Sequence, residues 1–361
     1  MSTPRKDSVF VIAEAGVNHN GSLERARALV RAAAEAGADA VKFQTFKAEK
    51  VAAATAPKAA YQKEATGAGE SQLDMIRKLE LPDEAFRTLA ADCRAAGIEF
   101  MSTPFDLGSL DFLVRETGLA RLKIPSGEIT NGPFLLAAAR VGLPLIVSTG
   151  MATMEEIEDA LGVLAFGLSG TNEPPGRATF AQAYAQGRET LTRRVTLLHC
   201  TTEYPAPFGE VHLRAMEAMR RHFGVPIGYS DHTPGIAVPV AAAALGAVTI
   251  EKHFTMDRTL PGPDHAASLE PGELKDMVRA IRSVEAALGE AIKAPQPSER
   301  ANMAVARRSL VAARPIRKGE RMAPVMLDAK RPGTGISPMR YWELLGTTAT
   351  RDYAPDEPIE T

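Results

Sequence analysis

Eight short β-rich runs, separated by alanine-rich helix-forming stretches, constrain this chain more than any other feature. The runs are VFVIAEA (9–15), AVKFQT (40–45), EFMSTPF (99–105), RLKIPS (121–126), PLIVST (144–149), VTLLHCTT (195–202), PIGYSDH (226–232) and AVTIEKHF (247–254). Segments such as SLERARALVRAAAEAG (22–37) and ATMEEIEDALGVLAFG (152–167) lie between them. Their apolar residues recur at three- and four-residue spacing, the period of a helix with one buried face. Gly37, Gly97 and Gly142 stand where helices ahead of the next strand should stop. Eight strand–helix units predict an α/β chain folded as a (β/α)8 TIM barrel over residues 1–290. A doubly wound open sheet is the competing architecture.

Three stretches break the rhythm. Lys47 to Gly69 has no strand pattern, and a loop of that length in a compact domain is often a lid. Thr171 to Arg193 is a second insertion, rich in Gly, Pro and Gln, with no role legible in it. KAPQPSER (293–300) has two prolines and no periodicity, which marks residues 291–301 as a linker. Residues 302–361 then change character. RRSLVAARPIRKGERM and ATRDYAPDEPIET echo each other, each placing Ala-x-Arg (312–314 and 349–351) shortly before a turn that ends at Glu320 or Glu357. Short strands and turns predict a small, separate β-rich domain.

Composition excludes several function classes. With 45% hydrophobic and 24% charged residues in 361, the chain is an ordinary globular protein with enough length for a large core. A net charge of −2 gives no reason to expect nucleic acid or an acidic membrane as partner. The longest weakly polar run, 236–250, is too short to span a bilayer. The first residues contain no signal-peptide core. Cys93 and Cys200 are far apart, which argues against a disulfide framework and fits a reducing cytoplasm.

Side chains just past the C-terminal ends of barrel strands converge on one mouth. Here the strand ends carry Glu14; Lys42 and Gln44; Ser102 and Thr103; Lys123 and Ser126; Ser148 and Thr149; His199 and Thr202; Ser230 and His232; Glu251 and His253. Strand starts are plainly apolar. Loops are polar in any protein, but lysines, histidines, carboxylates and hydroxyls on all eight strands exceed what solubility asks for. Lys42 and Lys123 lie inside apolar strands, where a lone charge is costly. Each could be a snorkelling lysine or half of an ion pair. Together, beside Ser126, Ser148 and Ser230, they would suit a small phosphate and carboxylate. A Schiff-base lysine of the class I aldolase type is the rival chemistry.

His232 and His253 end strands seven and eight, so both can reach one point and hold a divalent metal with open positions. His199 lacks such a partner and reads equally well as a core residue. Glu14 could act as acid/base near the lysines or be the ion-pair partner of Lys42. Asp264, in PGPDHAAS, falls near His253 or is an ordinary turn residue.

In order along the chain stand AEAGVNHNGS, AVKFQTFKAEK, APKAAYQ, ESQLDMIRKLEL, STPFD, KIPSGEITN, STGMAT, LLHCTTEYPAPF, GYSDHTPG, IEKHFT, GPDHAASLEP and KRPGTGISPM. With these motifs, from residue 13 to 339, the chain resembles the sialic acid synthase family, the bacterial N-acetylneuraminate and N,N'-diacetyllegionaminate synthases. Its last domain resembles that family's antifreeze-like (SAF) module. The resemblance implies condensation of phosphoenolpyruvate with the aldehyde of an N-acylated mannosamine, giving a nine-carbon 2-keto sugar acid and phosphate. It assigns Lys42, Thr103, Lys123, Ser126, Ser148 and Ser230 to phosphoenolpyruvate. Mn2+ or Mg2+ would sit on His232 and His253, polarising the aldehyde and binding the attacking water, and Glu14 would be the acid/base group. Gln44, Glu128, Thr202, Tyr204 and Asp264 would line the sugar. Arg331 would reach the N-acyl group in the other subunit of a domain-swapped homodimer. Thr202 in CTTEYP, where neuraminate synthases commonly carry Asn, leans the resemblance toward legionaminate synthases. A threonine methyl suits a 2,4-diacetamido-2,4,6-trideoxymannose better than an amide does. An ice-binding module, the remaining alternative, needs no mouth full of lysine and histidine.

Overall fold

The computed structural model describes residues 8–67 and 69–360. The expectation about the chain's first residues falls largely on 1–7, outside the described residues. Two compact units meet at residues 289 and 290.

In the first unit, eight strands form one sheet: β1 (Phe10–Gly16), β2 (Ala40–Thr45), β3 (Glu99–Pro104), β4 (Leu122–Ile124), β5 (Leu145–Ser148), β6 (Val195–Cys200), β7 (Ile227–Asp231) and β8 (Thr249–His253). Every ladder is parallel, and β8 pairs with β1. The hydrogen-bonded order runs β3-β2-β1-β8-β7-β6-β5-β4. β3 and β4 pack side by side and close the barrel. Across that seam Arg121 pairs with Glu99 at 2.7 Å and lies over the Phe10 ring. The barrel expectation holds: with β8 laddered on β1, the packing of β3 against β4 closes the remaining edges and rules out the open doubly wound sheet.

Local chemistry explains the alternation. The helix Leu23–Ala36 begins where the Ser22 hydroxyl accepts from the Arg25 amide and stops at Gly37, whose φ of 80° suits glycine. Its buried residues, including Ala26, Leu29, Val30 and Ala33, form the face pressed on the sheet. Along the strands, period two separates two surfaces. Outward residues such as Val11, Val41, Phe43, Val147 and Leu197 join the helices in the main core, whereas Ile12, Ala40, Met101, Ile146 and Leu198 meet inside the barrel. Two residues beyond each member of that plug come Glu14, Lys42, Thr103, Ser148 and Cys200. The same inward face therefore turns from apolar floor to polar mouth.

The long segment after β2 is helical rather than loop: Ala48–Val51, Ala60–Thr66 and Gln72–Arg77 precede the barrel helix Asp83–Ala96. Lys58 ties it together, buried and donating to the Thr66 hydroxyl, the Gly67 carbonyl and the Glu70 carboxylate. The second insertion forms helices Arg177–Gln186 and Arg188–Arg194. It docks on the helix Met154–Leu168 through an edge contact between Phe180 and Phe166 at 5.2 Å.

In the second unit, β9 (Ser309–Ala312) and β10 (Leu327–Lys330) pair antiparallel over a core of Leu310, Ala312, Ile316, Met322, Leu344, Tyr353 and Ile359. The two echoed sequence stretches build one device twice. Glu320 accepts from the Arg317 amide and Glu357 from the Ala354 amide, and each carboxylate pairs with the preceding Arg314 or Arg351. The 291–301 stretch differs from a plain linker, because a helix Pro297–Ala306 starts within it. Pro297 fits a first helical position, and Gln296 with Glu299 forms a capping box. Aperiodic side chains hid a helix that its caps would have disclosed.

Candidate active site

One cavity of about 420 Å³ opens at the C-terminal ends of the barrel strands. Its floor is a buried charge network. Lys42 Nζ lies 2.6 Å from Glu14 Oε2, donates to Thr103 Oγ1 at 3.0 Å and stands 3.6 Å from Glu251 Oε2. Lys123 Nζ donates to Glu251 Oε1 at 3.0 Å, and the Ser230 hydroxyl donates to the same oxygen at 2.9 Å. Glu251 thus bridges both lysines from across the barrel. Burial pushes its pKa up, but Lys123 and Lys42 outweigh that and hold it well below the usual carboxylate range. Burial pulls Lys42 down, yet Glu14 and Glu251 overcome it and keep the ammonium charged; for Lys123 burial wins and the pKa is lowered. Burial raises Glu14 to about 7, against the opposing pull of Lys42.

The hydroxyls complete the floor. Ser148 Oγ and Thr202 Oγ1 are buried, line the cavity and find no hydrogen-bond partner among the described residues. Ser126 Oγ accepts from the Gly150 amide at 3.0 Å and lies 3.2 Å from Cys200 Sγ. Position 150 must be glycine, because a Cβ there would come within 2.2 Å of Thr202 Oγ1 and 2.9 Å of Ser126 Oγ.

His232 and His253 face each other on the opposite side, ring centroids 5.6 Å apart. His232 donates through Nδ1 to the Thr201 carbonyl at 2.6 Å, which leaves the Nε2 lone pair available. Burial lowers both imidazoles, His253 well below its ordinary value, so both are neutral near pH 7. His253 Nδ1 is buried without a hydrogen bond, 4.0 Å from an Asp264 carboxylate that burial raises to about 6. Tyr204 lies against His232 with the rings tilted by 38° and centroids 4.2 Å apart, and meets His253 edge-on at 5.5 Å. Neutral imidazoles, one with an orphaned nitrogen, fit a divalent ion. Among the described residues no group of three or more His, Cys, Asp or Glu is arranged to enclose one, so the pair suits an open site.

The segment after β2 supplies the far wall. Val51, Gln62, Gln72, Met75, Ile76 and Leu79 line the cavity beside Val17, Phe46 and Phe105. The segment expected as a lid, 47–69, thus forms part of the cavity wall together with residues as far as Leu79, with residue 68 outside the described residues.

The cavity brings together Glu14, Lys42, Gln44, Thr103, Lys123, Ser126, Ser148, Thr202, Tyr204, Ser230, His232, His253 and Asp264. It does not include two expected members. Glu128 sits on the 3-10 turn Ser126–Glu128 with its carboxylate held by the Asn131 amide at 2.6 Å. Asn131 in turn caps the helix Gly132–Arg140, so Glu128 buttresses a helix start instead of lining the cavity. Arg331 lies in the second unit, its Nε donating to the Ala306 carbonyl. His199 does not line the cavity and bonds the Val211 carbonyl at 2.7 Å. Glu251 is the residue whose importance the sequence did not disclose. It stood among the polar strand ends, but only the folded barrel shows it spanning to β2 and β4.

Fold and cavity together define a (β/α)8-barrel enzyme whose cavity floor pairs two buried lysines with two glutamates beside an open imidazole pair. The profile of the NeuB family matches residues 29–293, and that of the SAF domain matches 307–361. The N,N'-diacetyllegionaminic acid synthase of Campylobacter jejuni serotype O:2 is 49% identical, over 97% of this chain and 98% of that one. The protein of that name from Legionella pneumophila is 46% identical, over 95% and 92%. A crystal structure of N-acetylneuraminic acid (sialic acid) synthetase from Leptospira borgpetersenii, in complex with citrate, superposes with a TM-score of 0.66 at 34% identity, covering 82% of this chain and 90% of that one. The chain belongs to the NeuB family.

Proposed function

We propose that the protein condenses phosphoenolpyruvate with the open-chain aldehyde of 2,4-diacetamido-2,4,6-trideoxymannose, as an N,N'-diacetyllegionaminate synthase. It is an enzyme of the carbon–carbon bond-forming transferase class. One observation carries the reading above others: Lys42 and Lys123, with Thr103, Ser148 and Ser230, lie on the floor of the same cavity whose other side holds His232 and His253. Phosphoenolpyruvate brings a phosphate and a carboxylate, which two ammonium groups and a set of hydroxyls can hold apart. A divalent ion on His232 and His253, Mn2+ or Mg2+, would polarise the aldehyde and acidify a water.

The chemistry then needs binding, orientation and one shuttled proton. Carbon 3 of phosphoenolpyruvate bonds to the aldehyde carbon, whose oxygen takes up a proton. Water adds to carbon 2 and loses one proton; the second leaves the new carbon 2 hydroxyl as the bond from carbon 2 to the phosphate oxygen breaks, and departs on the phosphate, leaving the 2-keto acid. One proton is taken up and one released, so a single carboxyl can serve both steps. Glu14, at about 7, holds either state near neutral pH. The acid form must deliver the first proton, so kcat/KM should fall on the limb where pH rises through 7 and the carboxylate accumulates. In Glu14→Gln the limb should vanish and kcat fall by about 10²-fold or more, as read from a pH–rate profile.

The choice of sugar rests on the 49% and 46% identities against 34% for the sialic acid synthetase, and on the wall. Val17, Phe46, Phe105, Met75 and Ile76 suit a 6-deoxy methyl better than a hydroxymethyl, and the Thr202 hydroxyl is available to an acetamido group. Phosphate release should show a higher kcat/KM for the diacetamido sugar than for N-acetylmannosamine; the reverse order would sink the legionaminate assignment and leave the neuraminate one. The reading extends to a cytoplasmic homodimer, with Arg331 acting on the N-acyl group. Arg331→Ala should raise the KM for the sugar about 10-fold and leave that for phosphoenolpyruvate unchanged.

A Schiff-base aldolase is disfavoured by the floor itself. Glu14 and Glu251 keep Lys42 protonated, and Lys123 is tied to Glu251. Borohydride with pyruvate should trap no adduct, whereas EDTA should stop turnover.

A further inference from the structure

Behind the imidazole pair, on the face of the sheet turned away from the cavity, lies an ion pair that binding and chemistry do not use. Ser230, His232, Glu251 and His253 line the cavity; the alternate residues Asp231 and Lys252 do not. Their side chains are paired and wholly buried, each at 0% exposure. Asp231 also accepts from the Tyr229 hydroxyl at 3.0 Å, the Thr233 hydroxyl at 2.9 Å and the Thr233 amide at 3.1 Å. Lys252 Nζ donates to the Thr233 carbonyl as well.

Their place in the ladder gives the pair its meaning. β7 and β8 run in parallel register as Tyr229 with Ile250, Ser230 with Glu251 and Asp231 with Lys252, and that last rung is also the last pairing between the two strands. The next residue on each strand is a histidine. Removing two charges from water costs more than an apolar pair of the same volume would, so stability alone does not account for this rung. Buried, directional pairs do fix register. His232 Nδ1 donates to the Thr201 carbonyl, and its own carbonyl accepts from the Ala206 amide in the following loop.

We propose that Asp231 and Lys252 are positioning residues that lock the ends of β7 and β8 in register and so set the separation of His232 and His253 for a divalent cation. The inference rests on the reading of those two histidines as the cation's holders. Groups that orient metal-bound imidazoles typically change affinity by about 10–100-fold when removed, and this pair acts one bond further back, through the backbone.

Lys252→Met leaves Asp231 with its three hydroxyl and amide donors, and Asp231→Asn with Lys252→Met removes both charges. In each folded variant the Kd for Mn2+, measured by calorimetry or by the spin-resonance signal of free Mn2+, should rise about 10-fold or more. Phosphoenolpyruvate affinity of the metal-free protein should stay within about threefold, because Lys42, Thr103, Lys123 and Ser148 lie on β2 to β5 and only Ser230 shares β7 with the pair. A general loosening of the barrel would weaken both ligands together. Unchanged Mn2+ affinity, or equal losses for both ligands, overturns the proposal. Should the charged variants fail to fold, Tyr229→Phe decides, since it deletes one hydroxyl from the network; a several-fold rise in the Mn2+ Kd with phosphoenolpyruvate affinity kept supports the lock, and an unchanged Kd overturns it. His232→Ala in otherwise native protein separates the two readings. If it leaves Mn2+ binding intact, the histidine assignment fails; if it abolishes binding while Lys252→Met does not, only the lock fails.

Discussion

Turnover of His253→Ala is expected to fall by about 10³-fold, with His232→Ala close behind, because a divalent ion supplies several kcal/mol of stabilisation to developing charge. The two imidazoles are buried, neutral and 5.6 Å apart between centroids. Neither can be replaced by a neighbour, since among the described residues no third His, Cys, Asp or Glu completes an alternative cluster. Part of the loss should return at high Mn2+, because the remaining imidazole still offers a nitrogen. Steady-state phosphate release titrated with Mn2+ checks this. A His253→Ala protein with native turnover and bound Mn2+ would refute the metal assignment.

Glu251→Gln should produce the largest change in stability. It removes the counter-charge shared by two buried lysines while leaving the shape intact. Breaking a buried pair from one side costs about 3–5 kcal/mol, since the stranded charge remains desolvated. For a barrel of this size the melting temperature should drop by roughly 10 °C. Phosphoenolpyruvate should recover more of that loss in the variant than it adds to the native protein, because its anionic groups restore the missing charge. Thermal melts with and without the ligand read both effects. Equal stability of variant and native protein would mean that Glu251 does not compensate the lysines.

The pH dependence follows from opposed shifts. Glu251, with its pKa depressed in the fold, contributes stability present above the ordinary carboxylate range and lost as pH falls through the folded value. Glu14 and Asp264, raised to about 7 and about 6, act oppositely, and their contribution is lost as pH rises through those values.

Much of this was readable before the fold was. The strand runs were bounded to within a residue or two, as with AVKFQT and Ala40–Thr45, because parallel strands covered on both faces are apolar throughout and end abruptly in turn residues. The polar ends of those strands converge as barrel geometry requires. What stayed hidden depends on distances across the barrel or on faces that period two leaves ambiguous. Glu251 could not be matched to Lys123, since 128 residues separate them. Glu128 lies only two residues past Ser126, yet the 3-10 turn swings it to Asn131. The helices of the 47–69 segment were missed because Ala59 and Lys47 provide no capping side chain and the segments are too short for a helical period to register. Asp231 and Lys252 read as companions of the histidines, and only their burial on the far face sets them apart.

The most direct test of the central claim is phosphate release from phosphoenolpyruvate by the metal-loaded protein, with and without 2,4-diacetamido-2,4,6-trideoxymannose. The account predicts phosphate only when the sugar is present, one per 2-keto acid formed, and none after EDTA. Phosphate release that ignores the sugar, or condensation that survives EDTA, would contradict it.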